Sequence, residues 1–134
     1  MTGIDNKKTM EEVYGELEKG NAEPFVASMA DDVSWTAIGS TRYSRTHRGK
    51  EAVLRHLAEV RTQLEARIRI RVQRIIADGD YVAVQGTGTA RTKTGVDYNN
   101  IYCWVLRLNE AGKIQEVTEY LDTELVTAAF GAGG

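Results

Sequence analysis

A β-hairpin between residues 97 and 122 constrains the fold of this chain more than any other segment. Its strands are predicted over 98–108 and 113–121, and the Asn-Glu-Ala-Gly sequence between them is typical of a tight loop. Because side chains alternate along a strand and the loop fixes the pairing, the residues on each face can be predicted. One face carries these residues: Asn100, Tyr102, Trp104, Val117, Glu119 and Leu121.

Glu119 is the one carboxylate on that face. With a four-residue loop it is predicted to lie opposite Tyr102, while Trp104 lies opposite Val117. A carboxylate among aromatic and aliphatic side chains is costly to bury. Glu119 is therefore either a structural carboxylate satisfied by its neighbours or the working group of a pocket.

Length and composition restrict the class of protein. The 134 residues suffice for one domain with a hydrophobic core, predicted to span 1–134 with loose ends at 1–8 and 131–134. A net charge of −2 gives no electrostatic reason to expect nucleic acid, and the apolar runs are too short to span a membrane. The single cysteine, Cys103, has no internal disulfide partner, so we expect a cytoplasmic, reducing location.

The rest of the chain predicts three helices followed mainly by strands. Helical spacing covers 9–20, a second helix begins near Pro24 and ends at 31–32, and a third covers 51–64. Alternation predicts strands at 32–39, 67–76 and 81–92, and Asp122 is a candidate cap for a short terminal helix. This order predicts an α+β fold, with helices grouped on one side of a curved, mostly antiparallel sheet.

Three segments carry a resemblance to a known superfamily: MADDVSWTAIG, RGKEAVLRHL and YNNIYCWVLRLNEAGKIQEVTEYLDT. In this order they resemble the nuclear-transport-factor-2-like superfamily, above all its SnoaL-like group related to ketosteroid isomerase, and also limonene-epoxide hydrolase. The resemblance implies a cone-shaped sheet packed on three helices from the N-terminal half, with a pocket between sheet and helices. It also implies a homodimer through the outer face of the sheet, and it implies no cofactor.

On that template the pocket would contain one catalytic candidate and several ligand-binding candidates. Glu119 would be the general acid/base, because burial would raise its pKa toward neutrality, which suits proton transfer. Hydrogen bonds to a small molecule, or to one another, would come from Asn100, Tyr102, Gln85 and Thr87. The remaining candidates would form walls: Trp35, Trp104, Val117, Leu121 and Tyr14.

The positions that carry the two best-known chemistries of the superfamily are mostly changed. The base of ketosteroid isomerase would fall at Ala37, its helix tyrosine at Val13 and its strand acid at Trp104. Of the residues that activate water in limonene-epoxide hydrolase, only an acid corresponding to Glu119 keeps its chemistry. SnoaL-like cyclases work from a single acidic base, and Glu119 could fill that role.

Other titratable residues give weaker signals. His56 is predicted to face solvent from the third helix, and His47 belongs to a polar loop at 39–49 that could lie over the pocket. No side chains show metal-ligand spacing, so no metal is expected. The alternating arginines at 67, 69 and 71 are predicted to form a solvated strand face, or an interface with acidic residues such as Glu116, rather than a polyanion site.

Two interpretations of function stay open. In one, the chain binds a small, mostly apolar organic molecule and catalyses an isomerisation, cyclisation or hydrolysis with Glu119. In the other, it is a non-catalytic ligand carrier or a dimeric interaction scaffold. An open pocket around a carboxylate of raised pKa would favour the first interpretation.

Overall fold

The computed structural model describes residues 3–132, in which four helices and six strands follow one another. The helices are α1 (Gly3–Glu18), α2 (Glu23–Ser28), α3 (Lys50–Thr62) and α4 (Thr123–Phe130). The strands are β1 (Met29–Ala37), β2 (Thr46–Arg48), β3 (Arg69–Asp78), β4 (Tyr81–Arg91), β5 (Asp97–Leu108) and β6 (Ile114–Leu121). None of these helices is long and apolar enough to cross a lipid bilayer.

All six strands belong to one sheet in the order β2-β1-β6-β5-β4-β3. Every neighbouring pair is antiparallel except β1 and β6, which run parallel. Helix α1 packs on β3 and β4, and α3 packs on β1, so the helices and the inner face of the sheet enclose the core. The α+β fold with a curved, mostly antiparallel sheet is therefore confirmed.

Glycines on the inner side of β4 let neighbouring groups approach the strand closely. A Cβ atom on Gly86 would lie 2.6 Å from the Arg71 carbonyl oxygen, and one on Gly88 would lie 2.9 Å from the ring of Tyr102. The ladder between β3 and β4 also shifts register beside Gly86, between Val72 and Arg74. A bulge next to a glycine allows a sheet to bend sharply.

The final hairpin has the predicted faces but not the predicted partners. Glu119 lies opposite Trp104, and Tyr102 lies opposite Leu121, each two residues from the expected position. The predicted pairing of Glu119 with Tyr102 is therefore wrong, although both side chains still point to the inner face.

The cause is the geometry of the turn. Asn109 donates its N–H to the Lys113 carbonyl, which leaves a loop of three residues rather than four. A three-residue loop alone would reverse the parity of the second strand. The ladder shifts register between residues 107 and 108, where Gln115 is the extra residue, and this bulge restores the parity.

Helix boundaries differ from the predictions at the N-terminal end. Helix α1 begins at Gly3, so residues 3–8 are not loose as predicted. Asn6 is buried, and its Nδ2 donates to the Gly79 carbonyl at 3.0 Å, which holds the first turns of α1 against the β3–β4 turn. Helix α2 ends at Ser28 and β1 starts at Met29, because the chain becomes extended before the Asp-Asp pair.

The C-terminal helix is present as predicted. Asp122 is its N-cap and accepts a hydrogen bond from the Glu124 N–H at 3.0 Å. The helix ends at Phe130, and Val126 and Phe130 pack into a second apolar cluster with Tyr98. Part of the loose tail predicted at 131–134 lies outside the described residues.

Candidate functional site

A cavity of about 220 Å³ lies between helices α3 and α4 and the inner face of the sheet. The polar side chains among its lining residues include Glu119, Tyr98 and Tyr102, and the exposed Arg61 and Arg67 also border it. Aromatic and aliphatic side chains form most of the wall: Tyr43, Leu57, Val60, Leu64, Ile68, Leu121, Val126 and Phe130. A small apolar cavity with few polar groups is typical of a ligand site.

Glu119 reaches the cavity from the middle of the sheet. Its strand is flanked by β1, where Ala37 is its parallel partner, and by β5, where Trp104 is its antiparallel partner. The indole N–H of Trp104 donates to Glu119 Oε2 at 2.9 Å. The side chain is half-buried, because one side of it borders the cavity.

The environment of Glu119 changes its acidity. Burial raises the pKa of this carboxyl from 4.5 to about 7, although the nearby N–H groups of Trp104 and Trp35 act in the opposite direction. Of these two groups, only Trp104 forms a hydrogen bond, and Trp35 Nε1 is buried without a partner among residues 3–132. A carboxyl with this pKa can accept and donate a proton near pH 7.

Several predicted wall residues lie beneath the cavity rather than around it. Trp104 stacks on Tyr102 with ring centroids 4.7 Å apart. Tyr14 packs in the core against the rings of Trp104 and Phe25. Trp35 and Val117 are also core residues. These four predicted ligand contacts, Tyr14, Trp35, Trp104 and Val117, are absent from the cavity lining, whereas Leu121 and Tyr102 belong to it.

Two predicted ligand contacts lie on the wrong face. Gln85 and Thr87 pair with Cys103 and Ile101, which point to the outer side of the sheet. Gln85 accepts a hydrogen bond from Arg74 there, at 3.1 Å. The prediction placed polar β4 residues inward, but the inward positions belong to Val82, Val84 and the two glycines.

Asn100 is on the predicted face but supports the site from behind. It is 2 % exposed and does not line the cavity. Its amide donates to the Tyr98 hydroxyl at 3.0 Å, and the Tyr102 hydroxyl donates to the same oxygen at 3.0 Å. Tyr98 was missed in the sequence, although extending the alternation by two residues would have found it.

The loop and the histidines also differ from the predictions. Loop residues Thr41 and Tyr43 contribute to the cavity wall. His56 is buried rather than exposed, because His47 stacks on it at 4.2 Å and Tyr43 packs against its edge. Burial, followed by the charge of His47, lowers the pKa of His56 to about 4, so it is neutral at pH 7.

No cluster of three or more histidine, cysteine, aspartate or glutamate side chains within residues 3–132 is arranged to hold a metal ion.

The sequence profile of the SnoaL-like domain matches residues 10–117, which is most of the chain. This chain belongs to the SnoaL-like domain family. No curated protein sequence matches it at a significant level. The matched residues include β1, α3 and both strands of the final hairpin as far as Val117, so they contain most of the elements that form the cavity.

Solved structures agree with this assignment. A protein of unknown function with a cystatin-like fold from Xanthomonas campestris is 26% identical, with 98% of this chain and 99% of that chain covered and a TM-score of 0.81. A protein from a Jannaschia species, assigned as a SnoaL-like polyketide cyclase, is 16% identical, with 99% and 96% covered and a TM-score of 0.80.

A third structure, TerC co-crystallised with polyporic acid, is 22% identical, with 92% of this chain and 96% of that chain covered and a TM-score of 0.78. At these identities the last two similarities show the fold alone. The family assignment therefore rests on the profile match, and the shared fold agrees with the expected nuclear-transport-factor-2-like architecture.

Proposed function

We propose that this SnoaL-like protein binds a small, mostly apolar organic molecule in its cavity and catalyses proton transfer on it, with Glu119 as general acid/base. One observation carries the proposal: a carboxyl whose pKa is raised to about 7 stands on the wall of an otherwise apolar cavity. Burying a carboxyl lowers the stability of the folded protein, and a core built only of hydrophobic residues would avoid this cost. A buried carboxyl with a shifted pKa beside a cavity therefore favours a functional role.

The shape and lining of the cavity support a small apolar ligand. Its volume of about 220 Å³ suits a compact molecule, and hydrocarbon side chains cover most of its wall. A protein of similar structure, TerC, was co-crystallised with polyporic acid. A ligand that fills this cavity would displace water from the Glu119 carboxyl, which strengthens the electrostatic interactions there.

In the proposed reaction Glu119 works in both of its protonation states. The carboxylate removes a proton from the substrate or from water, and the resulting acid returns it to a different atom. The Trp104 N–H fixes the orientation of the carboxylate during both steps. Isomerisation, cyclisation and hydrolysis can each proceed in this way, and a positioned acid/base contributes roughly 10²–10⁴-fold in rate.

Ligand binding is tested by a thermal-shift screen of small terpenoids, steroids, epoxides and polyketide-like aromatics. A ligand at 100 times its dissociation constant adds about 2.7 kcal/mol of stability, which is several degrees for a domain of this size. Val60→Trp on α3 fills the cavity, whereas Ala58→Trp places the same side chain on the exposed side of the helix. We expect the shift to disappear in Val60→Trp and to persist in Ala58→Trp.

Other results would change the proposal in different ways. Equal shifts in both tryptophan variants would place the ligand outside the cavity. Binding without any turnover that depends on Glu119 would indicate a carrier. A panel without a binder would favour the interaction scaffold.

We also propose that the protein is a homodimer through the outer face of the sheet. On this face Ile101 is 63% exposed and Tyr120 is 48% exposed, and Cys103 lies between them as the cross-strand partner of Tyr120. Adjacent exposed apolar residues on a sheet suit a protein interface. We expect a dimer in sedimentation equilibrium for the wild type and a monomer for Ile101→Lys. Leu125→Lys, at an exposed apolar residue on α4, should remain dimeric.

A wild-type protein that sediments as a monomer at all concentrations would contradict the dimer. A dimer that survives Ile101→Lys would place the interface elsewhere.

A further inference from the structure

A second pocket, which we call the side pocket, adjoins the cavity that contains Glu119. It has a volume of about 330 Å³ and shares Thr41, Tyr43 and His56 with that cavity. Its other lining residues are charged or polar: Arg42, Arg45, His47 and Glu59. Because this lining is polar, the side pocket suits a different chemical group from the apolar Glu119 cavity.

The loop that forms the side pocket carries an excess of positive charge. Residues 42–50 contain three arginines and one lysine but no acidic residue, although the whole chain has a net charge of −2. Arg42 and Arg45 form no ion pair with a carboxylate within residues 3–132. Glu59 is the one acidic group among the lining residues, so two arginines leave the lining with a net positive charge.

Backbone carbonyls hold both guanidinium groups. Nη1 of Arg42 donates to the Phe130 carbonyl at 2.7 Å, and the same guanidinium lies over the ring of Tyr43 at 5.3 Å. Nη2 of Arg45 donates to the Arg42 carbonyl at 3.2 Å. A guanidinium has five N–H donors, so most of these donors remain available to an anion.

Two imidazole rings in the side pocket have no hydrogen bonds of their own. His56 is 6% exposed, and its ring stacks on that of His47 with centroids 4.2 Å apart. Neither ring forms a hydrogen bond within residues 3–132, where His47 Nε2 and the Tyr43 hydroxyl are also buried without a partner. Buried polar groups nearly always have a partner, so this cluster is incomplete in the chain alone.

We propose that the side pocket is a second binding site, which binds an oxyanion such as a sulfate, phosphate or carboxylate group. Arg42 and Arg45 supply charge-assisted hydrogen bonds, and the stacked imidazoles supply a buried N–H donor. None of these groups takes part in the proposed proton transfer, so the site does not depend on it. The oxyanion is either a free ion or the acidic group of a molecule that also occupies the Glu119 cavity.

The imidazole pair makes the affinity of this site depend on pH. Burial lowers the pKa of His56 to about 4, and the charges of His47 and Arg45 act in the same direction. Burial and the charge of Arg45 also lower the pKa of His47, whereas Glu59 opposes them. A bound oxyanion favours the protonated form of the pair. The oxyanion should therefore bind more tightly at pH 5 than at pH 7.

Other groups beside the pair must be separated from it in the test. Arg42 and Tyr43 come from the loop, and Arg61 and Glu119 belong to the adjoining cavity. Glu119, with a pKa of about 7, changes charge in the same pH range. The pH dependence should persist in Glu119→Gln and decrease in His56→Gln if the imidazole pair causes it.

The test is an NMR titration of the imidazole resonances with sodium sulfate, against sodium chloride at equal ionic strength. Sulfate keeps its double charge from pH 5 to pH 7, so a pH dependence belongs to the protein. We expect sulfate to raise the pKa of His56 by about 1 or more. Arg45→Gln should weaken sulfate binding roughly tenfold, because it removes a charge-assisted hydrogen bond.

Two further variants control for charge. Glu59→Gln removes the opposing charge and should tighten sulfate binding. Arg48→Gln removes an exposed arginine that does not line the side pocket and should change binding little. Equal effects of sulfate on the wild type, Arg45→Gln and His56→Gln would indicate an adventitious ion only and would overturn the site.

A comparison of phenylbutyrate with phenylbutanol identifies the source of the oxyanion, and this comparison alone rests on the proposed function. If the oxyanion belongs to a cavity ligand, phenylbutyrate binds more tightly than the alcohol, and Arg45→Gln removes the preference. Val60→Trp, which fills the Glu119 cavity, then abolishes binding of both compounds. If the oxyanion is a free ion, sulfate still binds to Val60→Trp, and the wild type binds the two phenyl compounds equally.

The two proposals fail in distinguishable ways. If sulfate does not bind and the two phenyl compounds bind equally well, the oxyanion site is wrong, but apolar ligand binding stands. If sulfate binds as expected and neither phenyl compound binds, the oxyanion site stands, and the result counts against an apolar ligand in the Glu119 cavity.

Discussion

Glu119→Gln is expected to make the folded protein more stable at pH 8 and, at the same time, to reduce turnover of a bound substrate roughly 10²–10⁴-fold. The loss of turnover follows because an amide cannot accept and return a proton at neutral pH. The gain in stability follows because glutamine is neutral, whereas Glu119 must carry a charge in a partly buried site above its pKa of about 7.

The sign of the pH dependence follows from proton linkage. The pKa of Glu119 rises from 4.5 in the unfolded chain to about 7 in the folded protein, so the folded protein binds more protons between these values. Its favourable contribution is complete below pH 4.5 and is lost as the pH rises through 7. Glutamine does not titrate, so its advantage in free energy of unfolding should grow from near zero well below pH 4.5 to about 3 kcal/mol at pH 8.

Urea unfolding at pH 5 and pH 8 measures this difference, and Glu116→Gln is the matched control on the same strand. Glu116 is exposed and accepts a hydrogen bond from Arg107 at 2.9 Å, which lowers its pKa. Its replacement should leave turnover unchanged and should not stabilise the protein at pH 8. A Glu119→Gln variant less stable than the wild type at pH 8 would identify Glu119 as a satisfied structural carboxylate.

Trp104→Ala is expected to lower the free energy of unfolding by about 3–5 kcal/mol, since it removes a large buried side chain. Trp104 is 4% exposed and lies between the rings of Tyr102 and Tyr14. Trp104→Phe keeps most of this packing and should cost less. It removes the N–H that donates to Glu119, so the pKa of Glu119 should rise above 7.

An NMR titration of the Glu119 side-chain carboxyl in the wild type and in Trp104→Phe measures the change in pKa. Trp35→Phe is the control, because the Trp35 N–H makes no hydrogen bond within residues 3–132 and should influence the carboxyl less. Equal increases in the two phenylalanine variants would show that the hydrogen bond from Trp104 has no special effect.

Alternation predicted which residues of the final hairpin share a face, because side-chain parity is local, and the family resemblance predicted that this face points inward. The position of Glu119 on that face beside Tyr102 and Leu121 could be predicted for this reason. The cross-strand partners could not be predicted, because the register depends on a bulge at Gln115 and no residue preference in the sequence indicates that bulge. Gln85 was placed on the inner face by the family template, whereas the alternation of buried residues places Val82 and Val84 there.

Other parts of the site depend on contacts between distant segments. Tyr43 comes from a loop and Phe130 from the terminal helix, and the two rings meet at 5.4 Å beside the cavity. His56 is buried by contacts with His47 and Tyr43, although the residue pattern of its own helix predicted that it would be exposed. Periodicity describes one element at a time, so it cannot show which separate elements meet.

The parallel pairing of β1 with β6 has a consequence for how this protein folds. Ala37 and Glu119 are neighbours in the sheet, yet most of the chain lies between them. Contacts between such distant residues form slowly, because a long loop must close before they can contribute. During synthesis, the surroundings that make Glu119 a weak acid cannot exist until the last strand has emerged and joined the first. A truncated or partly folded chain would therefore hold a glutamate of ordinary acidity, and the proposed chemistry would begin only when folding is complete.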